Sequence, residues 1–200
     1  AAVAAQAGAD SAGVKEAART NVDIFGGYDV DFVVTDCGGC GAELKKYGHH
    51  LAGDSAANAF SGKVRDISQV LALHADELQE LLKPLPLQVT YHDPCHIAHC
   101  QGIRKEPREL LKLIPELTYQ ELDSADACCG SAGTYNIAKP EMSDRILQRK
   151  LTTIAASGAV TRMRNSPPIR PPKNDAHTPS HTARPGSPLR AMGKPSKVVA

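Results

Sequence analysis

Six cysteines dominate the chemistry open to this 200-residue chain, and their spacing says more than their number. Cys37 and Cys40 stand two residues apart in Asp36-Cys37-Gly38-Gly39-Cys40-Gly41. Cys95 follows His92-Asp93-Pro94, Cys100 lies a little beyond it, and Cys128 and Cys129 are adjacent and run into Gly130. Thiolates are soft anionic donors, suited to iron-sulfur clusters and to zinc. A disulfide framework is a poor reading. The chain is long for that class, no basic segment precedes an apolar export stretch, and an adjacent pair could bridge internally only through a strained ring. In a reducing compartment clustered thiols more often bind metal or do redox chemistry. An adjacent pair followed by glycine can turn two sulfurs toward one cluster, because glycine lets the backbone fold beside it. Cys95, Cys128 and Cys129 are therefore the first candidate ligand set. Cys37 and Cys40 form a second, in a glycine-rich turn whose N–H groups can nest around sulfur. For that pair a zinc or vestigial structural site and inert thiols remain the alternatives.

The elements around these residues are those of an α/β chain. Apolar positions over 14–25 follow a helical period and stop at Gly26-Gly27. The β-branched and aromatic run 31–35 predicts a buried parallel strand that delivers Cys37 at its C-terminal end, where open α/β sheets place their ligands. A helix is expected over 43–51, a loop over 52–62, and a helix over 64–82 closed by Pro84 and Pro86. A second strand, 87–91, delivers His92 and Cys95 in the same manner. A helix at 107–113 with Pro107 in its first turn, a weak strand at 117–122 and an amphipathic helix at 140–156 complete the pattern. The helix at 140–156 followed by Gly158 matches the helix at 14–25 followed by Gly26, which suggests an internal duplication. Asp93 suits an N-cap or turn, and His49 and His50 a helix end.

Charge divides the chain. The whole carries a net +1, but residues 161–200 hold eight basic residues against one acid, +7, and leave −6 for residues 1–160. The same 40 residues contain eight of the 14 prolines and too few apolar side chains to offset the ordering entropy, so disorder is expected there. No apolar run approaches the length of a membrane helix. The basic tail lacks interleaved aromatics, and nucleic-acid binding is not expected. Gly130-Ser131-Ala132-Gly133 is followed by no Gly-Lys-Ser/Thr, which argues against nucleotide binding.

The spacing from Cys95 to Cys128-Cys129-Gly130, with 32 residues between, resembles that of cysteine-rich CCG domain proteins. Their repeat is a single Cys, a stretch of this length, Cys-Cys-Gly, a similar stretch, then Cys-x-x-Cys. Within that family, His92-Asp93-Pro94-Cys95-His96, Gln101-Gly102-Ile103-Arg104, Pro107-Arg108-Glu109 and Cys128-Cys129-Gly130-Ser131-Ala132-Gly133 are most similar to the iron-sulfur subunit of glycolate oxidase (glycolate dehydrogenase). The resemblance covers roughly residues 14–160. It implies tandem Rossmann-like cysteine-rich halves with short parallel strands. Residues 1–86 would hold the end of a first repeat and connecting helices, 87–160 an incomplete second repeat, and 161–200 the disordered tail. It implies Cys37, Cys40, Cys95, Cys128 and Cys129 as ligands of iron-sulfur clusters of the 4Fe-4S type. His92, His96 and Gly130 would sit behind them, the histidines donating hydrogen bonds to sulfur or to the loop backbone. A direct metal role for His92, His96 and His99 is the lesser alternative. Cys100 fits no ligand slot and is expected to be a simple thiol. The partners implied are FAD-binding glycolate dehydrogenase subunits, which would carry the FAD and oxidise the 2-hydroxy acid, with electrons passing onward to a membrane acceptor. The location implied is cytoplasmic, with peripheral attachment at the inner face of the cell membrane. Where the repeat should close with cysteine, near 163–168, the chain reads Met163-Arg164-Asn165-Ser166-Pro167-Pro168, which suggests a truncated product with a frame-shifted or foreign tail. Two other functional classes stay open: a zinc-binding or subunit-docking module without redox activity, and a protein resembling the CCG-bearing component of heterodisulfide reductase.

Overall fold

The computed structural model describes residues 11–131, 135–159 and 198–199. It opens with helix α1 (Ser11–Gly26), which buries Val14, Ala18 and Val22 on one face and leads into strand β1 (Phe32–Thr35), both where the pattern puts them. Beyond β1 come α2 (Gly38–Leu44), α3 (Tyr47–His50), α4 (Ser55–Lys63) and strand β2 (Val64–Asp66). The helix expected over 43–51 is thus two short helices. The first begins at Gly38, so the cysteine pair is no open turn: Cys37 is the N-cap and Cys40 lies in the first helical turn.

Two further departures have local causes. The expected loop over 52–62 is α4, because Asp54 Oδ1 accepts from the N–H groups of Ala56 and Ala57 at 2.9 and 3.1 Å and caps it. Ala57 and Phe60 give α4 a buried side that its many small residues conceal in the sequence. The helix expected over 64–82 begins as strand instead. Val64 is buried beside β1, and Asp66 ends the strand by starting a capping box: its Oδ1 accepts from the Ser68 N–H at 2.9 Å, and Gln69 Oε1 accepts from the Asp66 N–H at 3.2 Å. Helices α5 (Ile67–Leu73) and α6 (Ala75–Leu81) follow.

The second half repeats the strand-helix-strand plan with β3 (Gln88–Val89), α7 (Cys95–Ala98), α8 (Lys105–Lys112) and β4 (Thr118–Tyr119). It continues into α9 (Tyr135–Ala138) and α10 (Pro140–Ala156), the latter starting on its proline as predicted. All pairing among the described residues is parallel. Val33 lies opposite Val64 in one sheet, and Gln88 opposite Thr118 in the other. Each sheet is therefore built on a crossover, with a cysteine turn after its first strand. The strands are two to four residues long and helices dominate, so the described residues show an α/β chain with two small parallel sheets. The finer picture of wound tandem halves asks for more strand than this.

The larger apolar cluster joins Ala18, Val22, Val30, Val33, Tyr47, Leu51, Ala57, Phe60 and Val64. The rings of Tyr47 and Phe60 stack with centroids 5.5 Å apart, and Asn21 Nδ2 donates to the buried Tyr47 hydroxyl at 2.8 Å. This core fixes β1 and so the start of α2. Ala98, Ile103, Leu122 and Ala125, which flank the Cys95 turn and the Cys128 loop along the chain, are buried as well. Of the segment 161–200, expected to be disordered, the described part is β5 (Val198–Val199), which pairs with β1 and puts Phe32 opposite Val198. This backbone pairing covers the edge of β1 opposite β2. The rest of the segment lies outside the described residues, as do Val160 and the 132–134 part of the cysteine loop.

Candidate metal centre

The two cysteine turns meet because glycine leaves room. A Cβ on Gly38 would come within 2.7 Å of Ile97 Cγ1, and one on Gly41 within 2.9 Å of Gln101 Nε2 and 3.0 Å of Thr35 Cγ2. With no side chain at either position, α2 seats against α7, and Gln101 Nε2 donates to the Gly38 carbonyl at 2.9 Å. Cys37 is braced from behind by its own N–H, which donates to Thr35 Oγ1 at 3.1 Å. The Cys40 N–H, then the Cys40 thiol and the Gly39 N–H, hold the Cys37 thiol below the ordinary cysteine range against burial and the Asp36 charge. Cys40, as the donor to Cys37 and partly desolvated, is pushed up. Cys37 is thus the member of the pair more disposed to be a thiolate.

The loop carrying Cys128 and Cys129 is tied down on both sides. At its start, the Ala125 carbonyl accepts from the Asp93 N–H (3.0 Å), from His92 Nδ1 (2.9 Å) and from Lys150 Nζ (2.8 Å), while Lys150 Nζ also donates to the Ser124 carbonyl at 2.9 Å. The chain enters this hub through Ser124 at φ +51°, a left-handed conformation that side chains rarely adopt. At its end, Ser143 Oγ donates to the Gly130 carbonyl at 2.8 Å, and the Gly130 N–H donates to Cys128 Sγ at 3.3 Å. Gly130 has φ +84°, and a Cβ there would run into the Ser143 carbonyl oxygen, so the position needs glycine on both counts.

The histidines take distinct places. A carbonyl only accepts, so His92 carries its proton on Nδ1, and its Nε2 is an acceptor while the ring is neutral. Burial pushes the His92 pKa down, opposed by the Ala125 hydrogen bond. His92 therefore addresses the loop backbone through Nδ1. His96 Nδ1 lies 3.7 Å from Cys95 Sγ. His49 and His50 do stand at a helix end, the last turn of α3, and His50 Nε2 is 2.6 Å from Glu43 Oε1, a buried carboxylate, in ion-pair geometry rather than capping.

Asp93 is no cap or turn residue either. Its side chain is 2% exposed and takes Arg108 Nη1 at 2.7 Å, Arg108 Nη2 at 3.1 Å and Arg104 Nη1 at 3.0 Å. Burial works against its charge, but the Arg108 hydrogen bonds and the Arg108 and Arg104 charges hold its carboxyl below the usual range. Arg108 also grips Glu121 at 2.7 Å and lies over the Tyr91 ring at 5.5 Å, and Arg104 reaches Asp126 at 3.6 Å. Glu121 in turn accepts from the Tyr119 hydroxyl at 2.5 Å, and burial together with that bond pushes the Tyr119 pKa up to about 12. This network fastens the Cys95 turn to α8, to β4 and to the Asp126 end of the cysteine loop. Arg104 and Arg108 stand four apart, so that Arg108, in α8, and Arg104, its N-cap, face one way, a spacing visible in the sequence once Asp93 is known to be buried.

Sequence reasoning missed Lys150 and Ser143, which Ile146 and Leu147 hide among apolar neighbours on α10. Their separation of seven residues, two helical turns, puts both on one face and is the signal that could have found them. All six cysteines are free thiols; Cys129 is half-buried and the others are exposed, Cys100 included. Among the described residues no three His, Cys, Asp or Glu side chains close on a point that would hold one metal ion. A cluster of several irons takes its thiolates on different irons, so its ligands stand farther apart than those of a single ion. The donor set fits such a group: accessible sulfurs at adjoining turns, a backbone N–H on Cys128 Sγ and a neutral histidine behind the loop. No helix of the described residues is long and apolar enough to cross a membrane.

The family model of the CCG cysteine-rich domain matches residues 2–45 and 89–165. A probable glycolate oxidase iron-sulfur subunit from Bacillus subtilis is 42% identical over 150 residues, 73% of this chain and 34% of that protein. One of the subunits of the fumarate reductase (CoM/CoB) of Methanothermobacter marburgensis is 37% identical over 145 residues, 70% of this chain and 27% of its own length. Lactate utilization protein A of Geobacillus thermodenitrificans is 31% identical over 144 residues, 70% of this chain and 59% of that protein. The chain thus spans about a third of the length of the glycolate oxidase relative. No solved structure matches it. With a family model that covers both cysteine turns and the Cys-Cys-Gly loop, the chain belongs to the cysteine-rich CCG domain family.

Proposed function

We propose that this chain is an iron-sulfur electron-transfer subunit of a complex that oxidises a 2-hydroxy acid, with glycolate as the substrate. The observation that carries this reading is the loop presenting Cys128 and Cys129, fixed at Ala125 and at Gly130 beside the turn that starts with Cys95. The names of the B. subtilis and G. thermodenitrificans relatives favour the 2-hydroxy-acid substrate class. Cys95, Cys128 and Cys129 would hold one cluster, of the 4Fe-4S type, and Cys37 and Cys40 would serve a second set of thiolates. When bound, such a group supplies a one-electron acceptor and donor. The chain's own residues would do the rest: the Gly130 N–H donates toward sulfur, His92 and Lys150 hold the loop, and the glycines at 38 and 41 keep the turns together. Substrate oxidation would occur on an FAD-bearing partner subunit, with electrons leaving to a membrane acceptor and the chain at the cytoplasmic face.

Anaerobic reconstitution of the full chain with iron and sulfide tests this. The expected result is bound iron and sulfide in similar amounts, broad visible absorbance and an EPR signal on reduction, all lost in Cys129→Ser. Stoichiometric zinc without iron would replace this reading with that of a zinc-binding module, and full iron retention in Cys129→Ser would remove Cys129 from the ligands.

A further inference from the structure

Lys150 is a costly residue to find where it stands. It is 3% exposed on the inner face of α10, where an aliphatic side chain would pack without the penalty of burying an ammonium group. A buried lysine is ordinarily matched by a carboxylate. Among the described residues Lys150 forms no ion pair; its bonds go to the neutral carbonyls of Ser124 and Ala125. The nearby Asp93 is already matched by Arg104 and Arg108, and Asp126 by Arg104. Its ammonium group is thus in contact with carbonyls and with no carboxylate, and it lies at the root of the loop whose other end is held by Ser143 on the same face of α10. Cys128 and Cys129 fall between these two anchors, within electrostatic reach of the ammonium group.

We propose that Lys150 is a positioning residue for the Cys128-Cys129 pair, holding the Ser124 and Ala125 carbonyls while placing one positive charge behind the two sulfurs. The inference rests on the reading of those cysteines as cluster ligands. A fixed cation beside an anionic group favours the form with the additional electron, so Lys150 raises the reduction potential of whatever the pair holds. The hydrogen bonds and the charge are separable: glutamine at this position keeps an N–H donor without the charge, arginine keeps the charge, and methionine keeps only the length.

The test uses the full chain reconstituted anaerobically, with Lys150→Gln, Lys150→Met and Lys150→Arg beside the unaltered protein. Midpoint potentials are read by EPR-monitored titration, and iron loss is followed after a chelator is added. Both neutral variants are expected to shift to lower potential by about tenfold in the one-electron equilibrium, roughly 59 mV. Arginine should hold the potential near the original, and iron loss should be fastest for methionine, which lacks both charge and donor. A folded, iron-bearing Gln or Met variant with the original potential overturns the proposal. So does failure of both neutral variants to fold, which would make the lysine a structural anchor alone. If instead Cys129→Ser keeps all its iron, the ligand reading fails and this inference falls with it. An unshifted potential in a protein that needs Cys129 for iron fails the role of Lys150 alone.

Discussion

Gly130→Ala is the sharpest test of how the cysteine loop is built. At φ +84° an alanine takes on the left-handed penalty, about 1–2 kcal/mol, and its Cβ must also displace the Ser143 carbonyl, a clash with backbone in the first turns of α10. Forced repacking of this kind costs a further 1–3 kcal/mol or so, giving about 2–5 kcal/mol in all. For a chain of this size that corresponds to a fall in Tm of roughly 10 °C. Gly102→Ala is the internal control: its φ is +70°, but nothing lies within 4 Å of an added Cβ, so only the backbone term applies, about 1–2 kcal/mol. Thermal melts of the two variants, followed by circular dichroism, should therefore differ by the steric part. After reconstitution, Gly130→Ala should also lose iron that Gly102→Ala retains. Equal melting temperatures and equal iron in the two variants would refute the packing argument, and with it the idea that the Gly130 end of the loop is fixed by α10.

Asp93→Asn should destabilise the fold by about 3 kcal/mol at neutral pH, because it leaves Arg104 and Arg108 facing a neutral group in a buried site. The folded carboxyl titrates below its ordinary value, so its stabilisation is complete above about pH 4 and is lost as the pH falls through the lower folded value. Urea midpoints measured downward from pH 6 should drop more steeply for the unaltered protein than for Asp93→Asn. The His92 ring, lowered by burial, should stay neutral below pH 6.5 in NMR titrations. Its contribution is present above the ordinary histidine value and lost as the pH drops through the folded one, and His92→Gln should soften that loss. Cys100→Ser should leave iron content and potential unchanged in the reconstituted protein, because Cys100 is exposed and makes none of the contacts that hold the two turns.

The chemistry-bearing positions were more legible than the elements between them. Strand β1, the apolar faces of α1 and α10 and the proline-led start of α10 follow from periodicity and local stereochemistry. Helix α4 and strand β2 did not show, because each is decided by a capping aspartate, Asp54 or Asp66, and by burial of one or two side chains against a core assembled from distant residues. The cysteine spacing marked the turns, but not what secures them. Asp93, Lys150 and Ser143 are polar residues whose roles depend on partners 11 to 26 positions away. No pattern local to them distinguishes such residues from solvated ones until the fold brings their partners in.

The seat of α2 on α7 has a consequence for how such chains diverge. Residue 38 and residue 97 share one small volume: the hydrogen of Gly38 is what lets the isoleucine at 97 lie where it does. A methyl group gained at 38 must be matched by bulk lost at 97, so in related chains the sizes at these two positions should change together and in opposite directions. The sulfurs on either side are then held to a common spacing by residues that never touch them, and that spacing can be inherited while the cysteines' neighbours drift.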